Sequence, residues 1–319
     1  MHKQRKPIKI VVTCLMGLIL LTVLATSSLP AIPKYRFVLA SYCGAGNPFW
    51  TIVEDGMRDA AKILGVEAVM QYAGEDTGKQ IDFIDVAIAK GVDGIGVVIH
   101  DSTAFDAPVQ RARDAGIPVV AYNIDDEEGA AGNARQAFIG QTFKVAGYKI
   151  GKIMVERLPA GCSVVCPVEW PGAVYAVERY AGVKKALDEK GIKSEMLDTG
   201  AVSLSDTLTR LESYLIGHPE VKAVIGLGGM PTAMAPKAIE ETELKGVLTG
   251  GFDINSYIIK NIKVVNGKGL VDQQAYLQGF YTVVQLYLAN MGLIPLDMDT
   301  GCAIIDKTNV DLVDPRLVP

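Results

Sequence analysis

The chain is 319 residues long, 49% hydrophobic and 21% charged, which suits a globular protein of about two ordinary domains and excludes a low-complexity or disordered one. Its net charge is −5. That balance excludes a nucleic-acid-binding surface, which needs a basic face, and leaves small ligands open.

The first segment differs from the rest. "MHKQRKPIK" carries Lys3, Arg5, Lys6 and Lys9, and an uncharged run follows from Ile10 to Ala25. A basic lead, a short apolar core and then the small residues of "TSSLPA" predict a secretory signal, cleaved after Ser28 or Ala31. A retained anchor is the alternative, although a membrane span takes ~20 apolar residues and this run is shorter. Cys14 lies inside the run and not at its end, which argues against a lipoprotein. Residues 1–33 are therefore set apart from the fold.

Beyond them, short apolar runs alternate with longer segments of 3.6-residue period. "YRFVLASY", "EAVMQYA", "GIGVVIH" and "PVVAYN" read as strands. Between them, helices are predicted over Pro48–Leu64, Thr77–Lys90 and Ala104–Ala115, with Ile52, Met57, Ala60 and Leu64 near one face of the first. Each ends at a glycine (Gly65, Gly91, Gly116), the expected residue just past a last helical turn. A short ordered crossing is expected near Phe138–Gln141. The pattern then restarts with a long segment from Thr142 to Leu158, "CSVVCPV", and a helix over Val174–Lys190. "KSEMLDTG", a helix over Ser205–Ile216, "AVIGLGG", a helix over Thr232–Thr242 and "GVLTGGF" complete it. Strand–helix alternation written twice predicts an α/β protein with two similar parallel sheets, each covered by helices on both faces.

Four cysteines lie beyond the leader: Cys43, Cys162, Cys166 and Cys302. They allow three pairings, and sequence does not choose among them. Cys162 and Cys166 would stand roughly 13 Å apart along one strand, too far to bond to each other. Buried small apolar residues are the plainer reading, and a disulfide between separate elements the other.

Catalytic patterns are missing. There is no G-x-S-x-G, H-E-x-x-H or G-x-x-x-x-G-K, so neither a cofactor nor a metal is expected. "GLGGMP" follows a strand, yet Pro231 stands where a dinucleotide fingerprint needs its third glycine. Of the three histidines, His2 lies in the leader, and His218, before Pro219, reads as a turn residue. His100 with Asp101 is the one pair an enzyme on this scaffold could use.

Ligands of open parallel sheets bind beyond the carboxyl ends of the strands. Loops at those ends hold Asn47, His100, Asp101, Asn123, Glu169, Trp170, Gly228, Gly229 and Asp253. A sugar presents hydroxyls at its edge and C–H groups on its faces, so its binder needs amides, carboxylates or arginine together with aromatic plates. Asn47, Phe49, Trp50, Asn123, Arg179, Asp253 and Gln273 supply both, with His100, Asp101 and Trp170 as further candidates on the rim. Read singly, Asn47 is also a helix cap, Phe49 and Trp50 core residues, and Arg179 a solvated charge.

The ordered series "NPFW…EDGMRDAAKILG", "GVDGIGVVIHD", "AGIPVVAYN", "ERYAGVKKAL", "HPEVKAVIGLG", "GGFD" and "DQQAYLQGF" resembles the ribose- and galactose-type solute-binding proteins of ABC sugar importers. The resemblance implies two Rossmann-like lobes joined by three crossing segments. One lobe would comprise residues 34–139 with 275–302, the other 140–274 with 303–319. It places the aromatic plates on Phe49 and Trp50, and polar contacts on Asn47, Asn123, Arg179, Asp253 and Gln273. The helix in "YLQGFYTVVQLYLANMG" should return to the first lobe, and "CAIIDKTNVDL" should cross back.

Two departures stand out. Asn123-Ile124 replaces an Asp-Arg that the family often has, and Gly228-Gly229 replaces an Asn-Asp. "VEWPG" meanwhile adds Glu169 and Trp170, the latter a third candidate plate. The resemblance implies an exported, monomeric binder of a small carbohydrate or polyol, or a sugar-like signal molecule, that delivers its ligand to an ABC permease. A subunit presenting the ligand to a chemoreceptor or signalling receptor is the second reading. A repressor sharing this core would begin with a DNA-binding headpiece and not with an export signal.

Overall fold

The computed structural model describes residues 34–45, 47–200, 203–264, 270–301 and 303–314. The apolar leader and Cys302 lie outside them. None of the helices among the described residues is long and apolar enough to cross a membrane.

The first sheet contains β1 (Arg36–Ser41), β2 (Glu67–Tyr72), β3 (Gly94–Val97), β4 (Val119–Asn123) and β5 (Ala137–Gly140), edged by β11 (Met298–Asp299). Its order is β2-β1-β3-β4-β5-β11. The second contains β6 (Ser163–Val168), β7 (Lys193–Asp198), β8 (Val221–Gly226), β9 (Leu248–Phe252) and β10 (Leu270–Asp272), edged by β12 (Ala303–Ile305). Its order, β7-β6-β8-β9-β10-β12, repeats the first. The pairs are parallel except β10 with β12. The inner strands β3, β4 and β8 are almost wholly buried, which is why they read as continuous apolar runs and not as alternating ones. This is the α/β architecture that the alternation of elements predicts.

Helices cover both faces of each sheet. On the first, α1 (Pro48–Leu64) and α9 (Ala275–Asn290) share one core with Trp50, Met57, Val283 and Leu286. Across that sheet, α2 (Thr77–Ala89) and α3 (Asp106–Asp114) bury Ile84, Ala87, Val109 and Ala112. On the second, α4 (Phe143–Val155) and α5 (Val174–Asp188) bury Ile150, Met154, Val183 and Leu187. Across it lie α6 (Leu204–Gly217), α7 (Gly229–Glu241) and α8 (Ser256–Val264). Gly65 and Gly116 hold left-handed backbones at φ +65° and +77°, a conformation that costs glycine little.

Three segments pass between the sheets: Gln141-Thr142 from β5 to α4, Gln273-Gln274 from β10 to α9, and Thr300-Gly301, between β11 and β12. Sequence periodicity reads 138–141 only as a crossing. Residues 137–140 form a strand first, because four residues beside an edge are too few to show a period. Helix α7 begins at Gly229, three residues ahead of the expected Thr232. Pro231 is tolerated there because the N–H groups of a first turn have no partner inside the helix.

Each entering helix docks on the first helix of its half through a pair of glycines. A Cβ at Gly56 of α1 would overlap the carbonyl of Tyr276, and one at Gly279 of α9 that of Val53. A Cβ at Gly147 of α4 would overlap the carbonyl of Arg179, and one at Gly182 of α5 that of Lys144. The two halves therefore repeat a helix-docking geometry as well as a strand order. Cys43, Cys162 and Cys166 are free thiols, and Cys43 and Cys166 pack as small apolar residues in the cores.

Candidate functional site

The carboxyl ends of both sheets meet at the crossing segments. Asn123 closes β4 and Asp253 follows β9, each the fourth strand of its sheet, and each adopts a left-handed backbone at φ +67°. Gln273 lies between them. Its Nε2 donates to Asp253 Oδ1 at 2.7 Å, and its Oε1 accepts from Asn123 Nδ2 at 3.5 Å. Asn123 donates more closely, at 3.0 Å, to Oε1 of Gln278. Gln278 in turn donates to the Gln273 carbonyl at 3.0 Å, and Thr300 Oγ1 donates to the same carbonyl at 2.8 Å. Two of the crossings and both sheets are thus tied into one buried polar network.

Arg179 joins that network from α5. It is 1% exposed, with Nε donating to Gln141 Oε1 at 2.9 Å and Nη1 to the Leu227 carbonyl at 2.7 Å. Its Nη2 reaches Asp253 Oδ1 at 3.5 Å. The guanidinium lies 4.3 Å from the ring centre of Phe252 and 5.3 Å from those of Phe143 and Tyr175. A buried cation is tolerated when donors and aromatic faces compensate it this fully. The reading of Arg179 as a solvated helix charge does not hold.

Beside it, Glu169 follows β6 and is also buried. Its Oε1 accepts from the Met230 N–H at 2.8 Å, at the N-terminus of α7, and its Oε2 accepts from the Tyr175 hydroxyl at 3.3 Å. Burial pushes its carboxyl up from the ordinary value, and the nearby Asp253 charge adds to that.

The aromatic residues divide. Phe49 is half-buried and lines a cavity of about 330 Å³ together with Ile52, Asp253, Gln273 and Tyr276. Trp50 is 2% exposed and packs edge-on against Tyr42, Phe49 and Tyr122, at 5.8, 5.4 and 5.9 Å between ring centres. Trp50 is thus a core residue, the alternative the sequence left open. The helix begins at Pro48, so its second and third residues point about 100° apart, and the third faces the sheet.

Asn47 accepts from the Phe49 N–H at 3.0 Å and caps α1. Trp170 is 57% exposed, at the edge of the β6–α5 loop. His100 and Asp101 are not brought into the network. His100 packs between Tyr42 and Phe105, bonds Thr77 Oγ1 through Nε2 at 3.1 Å, and has its basicity lowered by burial. The exposed Asp101 accepts from the Thr103 and Ala104 N–H groups at 3.0 Å each, which holds its carboxyl below the usual range and uses it as a turn cap. His218 stacks on Tyr214 and bonds its carbonyl at 2.8 Å, as a turn residue would.

Sequence reasoning missed Gln141, Tyr175, Gln278 and Thr300. A signal existed in the glycine pairs. Matching Gly147 to Gly279 sets Gln141 opposite Gln273, and matching Gly56 to Gly182 sets Phe49 opposite Tyr175. Among the described residues, no cluster of three or more His, Cys, Asp or Glu side chains is arranged to hold a metal ion.

Residues 38–292 match the periplasmic binding protein domain family. The chain is 29% identical over 299 residues to a xylose/arabinose-binding protein of Sulfolobus acidocaldarius, covering 88% of this chain and 73% of that one. It is 27% identical over 233 residues to a ribose import binding protein of Bacillus subtilis, covering 73% and 74%. A solved carbohydrate transporter from Acidothermus cellulolyticus, in complex with myo-inositol, superposes with a TM-score of 0.77 at 25% identity, covering 90% of this chain and 100% of that one. A twice-written sheet with a polar network at its crossings, matched over that span, makes this chain a member of the periplasmic binding protein family.

Proposed function

We propose that the chain captures a sugar or polyol between its two halves, outside the cytoplasm, and delivers it to an ABC permease. The observation that carries this reading is the network Asn123–Gln273–Asp253–Arg179, placed where both sheets end and next to a cavity that Phe49 shares with Asp253. Amide, carboxylate and guanidinium groups beside an aromatic face suit hydroxyls and C–H surfaces together.

In this reading residues 34–139 with 275–302 form one lobe and 140–274 with 303–319 the other. Phe49, Asn47 and Asn123 act from the first, Arg179 and Asp253 from the second, and Gln273 from the crossing. Trp50 supports Phe49 from behind, and Trp170 stands at the rim. Hinge closure around a ligand is the motion periplasmic binding proteins use. A ligand that touches both lobes only when they close shifts the population toward the closed state. The basic, apolar leader directs export, and the binder works as a monomer.

The test is a thermal-shift screen of pentoses, hexoses and polyols. A ligand at 100 times its Kd adds about 2.7 kcal/mol of stability, a readily measured rise in Tm. Asp253→Ala and Arg179→Ala should each weaken binding by about 2 kcal/mol or more, because each leaves a buried partner unsatisfied. A screen without stabilisation, or unchanged affinity in both variants, overturns the reading.

A further inference from the structure

Glu169 has no counter-ion among the described residues. It is 6% exposed. Its hydrogen bonds come from the Met230 N–H, the Tyr175 hydroxyl and its own backbone N–H. A carboxylate offers about four acceptor positions, so about one is left. A buried carboxylate kept short of donors and without a cation is costly to folding, and such groups concentrate at functional sites.

Its position explains a departure in the sequence. A Cβ on Gly228 would fall onto the Glu169 carboxylate, so this carboxylate fills the space that a side chain at 228 would take. A Cβ on Gly229 would lie 3.7 Å from Asp253 Oδ2. The bare Gly228-Gly229 backbone therefore separates two carboxylates at the start of α7. Arg179, the cation nearest Asp253, is already engaged by Gln141 and the Leu227 carbonyl. That corner of the site holds two carboxylates, with the Asn255 amide Nδ2 beside them, 4.0 Å from where a Cβ on Gly229 would stand.

We propose that Glu169 is a specificity-determining residue that accepts a hydrogen bond from one ligand hydroxyl, in place of a contact from position 228. The inference rests on the sugar-binding reading above. The Tyr175 hydroxyl, donating to Oε2, and the Met230 N–H, donating to Oε1, fix the carboxylate so that its remaining acceptor position has a set direction. A site built around one hydroxyl rejects an analogue lacking it, because the orphaned acceptor stays buried.

The experiment is a cycle between protein and ligand on the mature chain. D-Xylose, L-arabinose, D-ribose, D-glucose, D-galactose and myo-inositol are titrated calorimetrically, followed by the monodeoxy analogues of the tightest binder. One monodeoxy analogue should lose about tenfold or more on the wild type and less than about threefold on Glu169→Gln, which can still accept from Met230. The other analogues should lose the same on both proteins. Glu169→Asp, which keeps the charge but withdraws it by one methylene, should show the same selective change. A purely structural role would lower every affinity alike, and that result, or no selective change in either variant, overturns the proposal. Absence of binding by any of the six compounds to the wild type overturns the sugar reading itself, and this inference with it.

Discussion

Asn123 and Asp253 are counterparts: one ends and the other directly follows the fourth strand of its sheet, each at φ +67°, and Gln273 joins the two side chains. The left-handed turn aims both side chains from the sheet edges toward the crossing. One member is neutral and the other charged, so Gln273 can donate to the carboxylate while accepting from the amide. Gln278, fully buried on α9, doubles the link.

Removing that second link should cost stability. Gln278→Leu leaves the Asn123 amide with the longer 3.5 Å bond to Gln273, and deprives the Gln273 carbonyl of one donor. Urea unfolding should show a loss of about 1–3 kcal/mol.

Phe49 and Trp50, adjacent in the chain, should separate function from folding. Trp50→Ala empties a core position and should destabilise by about 3–5 kcal/mol. Phe49→Ala removes a half-buried cavity wall, with a stability loss of about 1 kcal/mol and a tenfold or greater loss of ligand affinity. Equal stability losses in the two variants would contradict this division.

The glycine pairs give a steric prediction. Gly279→Ala and Gly182→Ala place a methyl against the partner helix backbone and should each cost about 1–3 kcal/mol. Gly217, the last residue of α6, has open space where its Cβ would stand, and Ala there should gain up to about 1 kcal/mol. Chemical denaturation of the three variants checks the sign as well as the size.

Asp272 gives a pH dependence. Burial pushes its carboxyl up from 3.8 to about 6, the Asp253 charge adds to this, and the Gln274 N–H opposes it. A carboxyl raised in the folded state favours folding when protonated. Its contribution is complete below about pH 4 and lost as pH rises through about 6. Asp272→Asn should match the wild type at pH 4 and exceed it at pH 7, by on the order of 1 kcal/mol for this half-buried group. Urea midpoints at the two pH values measure the difference.

Much of the architecture is local in origin. Apolar runs bounded by Gly65, Gly91 and Gly116, alternating with 3.6-period segments, specify strands and helices one at a time, and their repetition specifies two parallel sheets. The polar candidates could be located because loops after parallel strands face one edge. The direction in which α1 turns Phe49 and Trp50 could not, because both positions are apolar and a helix start uncertain by one residue rotates the faces by about 100°.

Read alone, the amino-acid sequence determined the order of elements and the doubled α/β plan, and put Asn123 and Asp253 in loops at the strand ends, since periodicity and loop position are properties of neighbouring residues; Arg179 and Gln273 were marked by their side-chain chemistry and by the family resemblance. Only the tertiary structure decided that Trp50 is core, that His100 and Asp101 stand apart, and that Glu169 occupies the space above Gly228. Those outcomes depend on pairs such as Asn123 with Gln278, 155 positions apart in the chain, or Glu169 with Met230, 61 apart. Packing brings such groups together, and no local pattern encodes which distant donor a buried acceptor will meet.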